Sequence, residues 1–268
     1  MESPSITSTG NPRLKAALRL RGRRERERLG LTLIDGVRET ARALAGGAEL
    51  KEAFVAAGHC KDDDCREVLD ALQRVRVPVV ELGHEAFARL AYGDRLDGVI
   101  AVATTPQRRL ADLVLPDEPL IAVIEGVEKP GNLGAILRTA DGAGLSAVVV
   151  AAPGTDLFNP NVIRASVGTV FSVPVCVAST GDVLHWLGER GVPIFAARVD
   201  GSTDYFDADL RGPLAMALGS EARGLSDAWA ELAQVSVRVP MLGAADSLNV
   251  SATAAILFYE ALRQRRAG

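Results

Sequence analysis

Three short stretches of this chain set polar side chains and glycines where an apolar run gives way to a helical pattern. The first is Glu125-Gly126-Val127-Glu128-Lys129-Pro130-Gly131-Asn132-Leu133-Gly134-Ala135-Ile136-Leu137-Arg138-Thr139. Pro130-Gly131 turns the chain, and Asn132 reads as a helix N-cap whose side-chain oxygen accepts from a free backbone N–H. Leu133, Ile136, Leu137 and Ala140 then share one helical face, and Gly134, Arg138 and Asp141 another. Gly134 lies one turn before Arg138 and has no side chain. That leaves room beside the guanidinium for a phosphate or an alkoxide. Taken alone, the stretch fits better an ordinary strand-to-helix turn with an Arg138–Asp141 surface pair.

The second stretch is Leu218-Gly219-Ser220-Glu221-Ala222-Arg223-Gly224-Leu225-Ser226. Its two glycines permit close backbone approach to a flat or charged ligand, and Glu221 could orient a cation. The third runs from Val239-Pro240-Met241 to Ser247-Leu248-Asn249-Val250-Ser251. Ser247 reads as the N-cap of a helix that is small and apolar on nearly every side through Leu262. A helix without a polar face is buried inside a domain or in a subunit interface. Ser247 and Asn249 at its mouth are costly there unless partnered.

Other chemistries fit less well. Gly142-Ala143-Gly144-Leu145-Ser146-Ala147 has dinucleotide-binding spacing, but it follows a helix and precedes a strand. Phosphate binding at a helix N-terminus needs the reverse order. His59, Cys60 and Cys65 lack the second ligand pair of a zinc site, and His84 and His185 stand alone, so no metal is expected. Three cysteines cannot build a disulfide framework, which points to a reducing compartment. No apolar run approaches a membrane span, and residues 1–10 lack the apolar core of a secretory signal. The expected location is the cytoplasm.

The three stretches need a scaffold. From Leu120 onward, apolar runs alternate with helical segments: Leu120 to Ile124, Ala147 to Ala152, Val173 to Ala178, Pro193 to Ala197, Leu214 to Leu218 and Val235 to Val239. This is an α/β pattern that predicts a parallel sheet covered on both faces, with ligands at the carboxyl ends of its strands. The N-terminal third reads as a smaller α/β unit. It has a helical stretch from Pro12 to Arg28, a helix from Val37 to Ala45, and strands at Leu29 to Ile34, Ala53 to Ala57, Val77 to Leu82 and Gly98 to Ala103. Polar residues and two prolines between Gln107 and Pro119 mark the junction. The expected domains are residues 1–105 and 120–268, with 106–119 as linker.

Charge divides along the same line. The chain carries 30 Lys and Arg against 34 Asp and Glu, a formal net of −4. Residues 13–28 hold eight cations (Arg13, Lys15, Arg19, Arg21, Arg23, Arg24, Arg26 and Arg28) and only Glu25 and Glu27. That segment is +6 and the remainder −10, so an anionic partner fits the first unit. A solvated helix face with Glu–Arg pairs would have the same composition. Aromatics at 4% argue against a platform for stacking bases.

Asn132-x-Gly134-x-Ile136-x-Arg138-Thr139, Gly219-Ser220-Glu221 with Gly224-Leu225, and Pro240-Met241 with Ser247-Leu248-Asn249-Val250-Ser251 occur in one order. Together with Arg164-Ala165-Ser166-x-Gly168 before Phe171 and Pro174, they resemble the SpoU-type (TrmH-like) RNA ribose 2'-O-methyltransferases of the SPOUT superfamily. Ile6-Thr7-Ser8, Asn11-Pro12 and Asp35-Gly36 resemble the opening of an L30e-like substrate-binding domain. Within the family the chain is similar to antibiotic-resistance ribosomal RNA methyltransferases of actinobacteria. Glu125 stands where aspartate is common, Asp35 where glutamate is usual, and Ala222 where glycine is frequent.

The resemblance implies a SPOUT fold with a deep trefoil knot, a homodimer and S-adenosylmethionine as methyl donor. The substrate it implies is a ribose in RNA, most often 23S ribosomal RNA; a transfer RNA, or RNA binding without catalysis, is the alternative. It carries catalytic roles onto Asn132, Arg138, Glu221, Ser247 and Asn249, and cofactor contacts onto Leu218, Gly219, Val239, Met241, Leu248 and Asn249. Arg13, Arg21, Arg23 and Arg24 are the expected RNA-binding residues of the basic segment.

Overall fold

The computed structural model describes residues 5–56, 58–92 and 97–267. Ala57, the last residue of one expected strand, lies outside them. The chain forms two compact units, Met1–Pro106 with Phe158–Ser172, and Gln107–Leu157 with Val173–Gly268.

The first unit contains β1 (Ser5–Ile6), α1 (Pro12–Arg19), α2 (Arg23–Leu29), β2 (Leu31–Asp35), α3 (Val37–Ala45), β3 (Leu50–Val55), α4 (Asp63–Arg74), β4 (Val79–Leu82), α5 (His84–Leu90) and β5 (Val99–Thr104). Its sheet runs β1-β4-β3-β5-β2, with β5 antiparallel to both neighbours and the other pairs parallel. Leu14, Leu33, Phe54, Phe87 and Ile100 fill the core against one sheet face.

The basic stretch is two helices, not one. Gly22 takes an extended conformation between them. The guanidinium of Arg26, 3% exposed, donates to the Leu20 and Arg21 carbonyls at 3.0 and 2.8 Å. It thereby satisfies acceptors that the end of α1 leaves free.

The second unit contains β6 (Leu120–Glu125), α6 (Pro130–Ala143), β7 (Ala147–Ala151), β8 (Val175–Ala178), α8 (Thr180–Glu189), β9 (Ile194–Ala197), β10 (Thr203–Asp204), β11 (Leu214–Leu218), α9 (Asp227–Leu232), β12 (Val235–Arg238) and α10 (Val250–Ala267). The helix of the intervening segment, α7 (Pro160–Ala165), belongs to the first unit. The sheet order is β10-β12-β9-β11-β6-β7-β8, every pair parallel. All residues of β6, β7 and β11 are buried, as strands covered on both faces require.

The segment Phe158–Ser172 departs from the expected domain division. Thr32 Oγ1 donates to the Phe158 carbonyl at 2.7 Å, and the Arg42 guanidinium donates to the Val167 carbonyl. Gly168 has φ +81°, and a Cβ there would come within 2.9 Å of Glu39 Cα. Close approach to α3 therefore explains that glycine. Arg164 donates to the Tyr92 carbonyl.

The histidine and cysteine readings also change. His59 Nε2 and His84 Nδ1 lie 3.1 Å apart, so His84 does not stand alone, and His185 pairs with Glu189. Cys60 and Cys65 form a disulfide, a single short bridge where none was expected; their Cα atoms lie 5.5 Å apart, well within bonding range. Cys176 is free and buried, and burial pushes its thiol up to about 11. Among the described residues no three His, Cys, Asp or Glu side chains are grouped to hold a metal ion, and no helix is long and apolar enough to cross a membrane.

Asp35, 9% exposed at the end of β2, has its pKa pushed up to about 6 by burial. The Tyr92 N–H, donated at 2.6 Å, and Arg164 oppose the shift, while Asp97 and Glu39 add to it. A folded-state pKa above the unfolded value means folding is favoured by protonation. This contribution is present at low pH and is lost as pH rises through about 6. Asp35→Asn keeps an acceptor for Tyr92 and removes the buried charge. It should stabilise the protein at pH ~7.5 by on the order of 2 kcal/mol and by clearly less at pH ~5 in urea unfolding. An equal effect at both pH values would contradict the account.

Candidate active site

Because the sheet is parallel, the three chemistry-bearing stretches leave the same edge: the first follows β6, the second β11 and the third β12. They meet through side chains. Asn132 Nδ2 donates to Glu221 Oε1, and Asn249 Nδ2 donates to Asn132 Oδ1 at 3.2 Å. Asn249 Oδ1 in turn accepts from the N–H and hydroxyl of Ser251 at 2.9 and 2.7 Å. Three of the five expected catalytic residues are thus joined directly.

Local sequence explains how each arrives, with two corrections. Asn132 is not an N-cap. Pro130 occupies the first helical turn, where its fixed φ and missing N–H suit it, and Lys129 is the N-cap, so α6 starts three residues earlier than an Asn132 cap would allow. Asn132 is therefore inside the first turn with its side chain free to reach Glu221. Nor does Ser247 cap α10. The bond from the Ser251 N–H to Asn249 Oδ1 gives that role to Asn249. Ser247 is exposed and makes no hydrogen bond among the described residues.

Arg138 is exposed on α6, six residues beyond Asn132, with no hydrogen bond or ion pair among the described residues. Its guanidinium remains available to an incoming anion. Gly134, expected to leave open space beside it, is buried.

The glycines of the second loop serve the chain's own backbone. A Cβ on Gly219 would lie 2.0 Å from the Gly224 carbonyl carbon, and Gly224 has φ +67°. Ser220 and Gly224 exchange backbone hydrogen bonds at 3.1 and 2.9 Å, closing a tight turn that presents Glu221.

Sequence reasoning missed the residue that anchors this loop. Glu125, noted only for replacing aspartate, is 7% exposed at the end of β6. It accepts from Thr180 Oγ1 at 2.6 Å, from Ser226 N at 2.8 Å and from Ser226 Oγ at 3.0 Å. Burial pushes its pKa up, but the hydrogen bonds from Thr180 and Ser226 outweigh burial and hold it below the ordinary range. An acidic residue ending an apolar strand was the available signal.

Of the expected cofactor residues, Leu218 is buried at the end of β11 and Gly219 follows it. Val239 and Met241 are half-buried, while Leu248 and Asn249 are exposed. Residues 239–248 form no backbone–backbone hydrogen bond among the described residues, which leaves N–H and carbonyl groups open to a ligand.

The expected RNA-binding residues have diverse fates. Arg13 pairs with Glu52 at 2.9 Å, and Arg23 with Glu27 at 2.7 Å. Arg21 donates to the Leu90 and Ala91 carbonyls and lies over the Tyr92 ring, which commits it to the fold. Arg24 alone of the four has no hydrogen bond or ion pair among the described residues.

Residues 11–101 match the MRM3-like substrate binding domain. The chain is 33% identical over 258 residues to a 23S rRNA (uridine(2479)-2'-O)-methyltransferase of Streptomyces viridochromogenes, covering 93% of this chain and 88% of that protein. A crystal structure of an RNA 2'-O ribose methyltransferase matches with TM-score 0.87 and 45% identity, over 98% of this chain and 99% of that one. The SpoU methyltransferase AviRb from Streptomyces viridochromogenes, in complex with AdoMet, matches with TM-score 0.87 and 30% identity, over 96% of this chain and 99% of that one. Residues 119–259, which include all three loops, match the SpoU rRNA Methylase family, and the chain belongs to that family.

Proposed function

We propose that this protein transfers a methyl group from S-adenosylmethionine to a ribose 2'-oxygen of 23S ribosomal RNA. The observation that carries this reading is the Asn249–Asn132–Glu221 hydrogen-bond chain, which unites three loops at the carboxyl edge of a parallel sheet. The similarity to a 23S rRNA 2'-O-methyltransferase and to an AdoMet-bound SpoU enzyme supports the substrate and the donor.

The residues present fit the donor. Gly219, Val239, Met241 and Leu248 would hold its adenosine part through backbone groups, with Leu218 and Asn249 beside them. When bound, S-adenosylmethionine supplies an activated methyl group. The chain must then present the ribose oxygen in line with that methyl, and positioning alone is worth roughly 7–11 kcal/mol of barrier. Glu221 fixes the amide of Asn132, and Asn132 with Asn249 and Ser247 orients the ribose. The 2'-hydroxyl is a poor nucleophile until its proton leaves. An arginine with pKa of about 12.5–13.8 holds little free base at neutral pH. Arg138 therefore serves to bind the adjacent phosphate and to stabilise the developing alkoxide, while the proton passes to solvent. A ribosomal RNA substrate implies a cytoplasmic site of action.

The same reading includes a homodimer and the trefoil knot of the resemblance. One side of α10 packs on α6. Beyond that contact Ala252 is exposed, Ile256 and Leu262 are only half-buried, and Tyr259, whose hydroxyl lies beside Gly142 of α6, is still 51% exposed. Such an apolar side suits a second copy. Sedimentation at micromolar concentration should give twice the mass of one chain, and Tyr259→Asp should shift it toward a single chain. A wild-type protein that sediments as one chain throughout would contradict the dimer.

Nucleoside mass spectrometry of 23S ribosomal RNA incubated with enzyme and S-adenosylmethionine tests the reaction itself. A new 2'-O-methylated nucleoside is expected, and a methyl on a base would overturn the assignment. Arg138→Ala should lower kcat by about 10²–10³-fold, with S-adenosylmethionine affinity by calorimetry within about twofold of wild type. Normal turnover of that variant would remove Arg138 from the mechanism.

A further inference from the structure

The +6 charge of residues 13–28 is not one uniform field. The structure sorts its eight cations into three groups. Arg21 and Arg26 spend their guanidinium groups on the carbonyls that end α5 and α1. Arg13, Arg23 and Arg28 are neutralised by Glu52, Glu27 and Glu25. Lys15, Arg19 and Arg24 are exposed and make no hydrogen bond or ion pair among the described residues.

These last three are neighbours. Lys15 and Arg19 are four residues apart on α1, hence on one face, opposite the buried Leu14 and Ala17. Arg24 is on α2, yet Arg19 and Arg24 both act on Glu25. The Glu25 carboxyl is held below its ordinary range, chiefly by its hydrogen bond from Arg28 and then by the fields of Arg19 and Arg24. The Gly22 N–H donates to the Arg19 carbonyl at 3.0 Å, so α2, with Arg24 in its first turn, begins directly against the end of α1 that carries Arg19, and Lys15 lies one turn back along α1.

We propose that Lys15, Arg19 and Arg24 form the surface of the first unit that grips the phosphate backbone of the RNA substrate. The surface has the required charge: three cations that make no ion pair among the described residues, beside a Glu25 carboxylate already paired with Arg28. It contains no aromatic side chain between Lys15 and Arg28 on which a base could stack. Phosphate contacts of this kind supply affinity and register without reading sequence. The surface accordingly sets how tightly RNA is held, and the choice of nucleotide rests elsewhere. Arg13, Arg21 and Arg23, which composition alone groups with Arg24, have no such part. This inference rests on the RNA methyltransferase reading and adds the place where the substrate is held.

Two triple variants with the same change in formal charge test it: Lys15→Gln/Arg19→Gln/Arg24→Gln, and Arg13→Gln/Arg23→Gln/Arg28→Gln. Binding to a 23S ribosomal RNA transcript would be measured from roughly 50 to 200 mM salt. Each lost phosphate contact flattens the slope of log K against log salt by about 0.7–0.9. The first triple should therefore flatten it by about 2–3 and the second by less than about one. S-adenosylmethionine affinity, measured by calorimetry, should be the same in both, as should the nucleotide methylated. Equal flattening by both triples, or none by the first, overturns this surface while wild-type ribose methylation leaves the enzymatic reading intact. A wild-type protein that neither methylates nor binds the transcript overturns both.

Discussion

The site depends on one directional chain of hydrogen bonds. Ser251 donates to Asn249, Asn249 to Asn132, and Asn132 to Glu221. Each asparagine uses its amide nitrogen toward the carboxylate and its amide oxygen away from it. Turning Asn132 over would set its oxygen against the Glu221 carboxylate and its NH₂ against that of Asn249. The negative end therefore fixes the orientation of every group behind it. That is what a ribose needs from its surroundings: donors and acceptors whose direction is settled before it arrives.

The rest of the second unit holds the ends of this chain in place. Strands β6 and β11 are adjacent, and β12 is two strands away from β11, so their following loops share an edge. Gly219 lets the loop after β11 fold back on Gly224 and Leu225, where any side chain would collide. Glu125 ties that loop down through Ser226 and ties Thr180 at the start of α8 to the same carboxylate. Glu125 stays ionised although buried because its oxygens accept three hydrogen bonds, and removing them would leave a charge with nothing to offset its desolvation. Arg138, by contrast, has no hydrogen bond or ion pair among the described residues, as the phosphate contact proposed for it requires.

Much of this was legible in the sequence, for identifiable reasons. Strands β6, β7 and β11 are buried on both faces and so read as continuous apolar runs; Leu214–Leu218 coincides with its expected bounds. Asn132, Glu221 and Asn249 could be singled out because polar residues stood where apolar elements end. Helix starts were less legible. Pro130 and Asn132, and likewise Ser247 and Asn249, are both good starting residues, and only the tertiary placement of the side chain decides between them. Long-range partners were not legible at all. Nothing in the spacing of Arg21 and Arg26 reveals that they cap helices, nor in that of Phe158–Ser172 that it lies in the first unit. Those assignments depend on carbonyls and strands far away along the chain.

The central claim is that Asn132 and Glu221 act as a single unit in methyl transfer. A double-mutant cycle on kcat/KM with Asn132→Ala, Glu221→Ala and the pair tests it most directly, using 23S ribosomal RNA as substrate. A hydrogen bond to a charged group predicts a coupling of about 1.5–3 kcal/mol. The double variant should then lose at least about tenfold less activity than the product of the two single losses. Losses that simply multiply would mean that the two residues work independently, and would contradict the account.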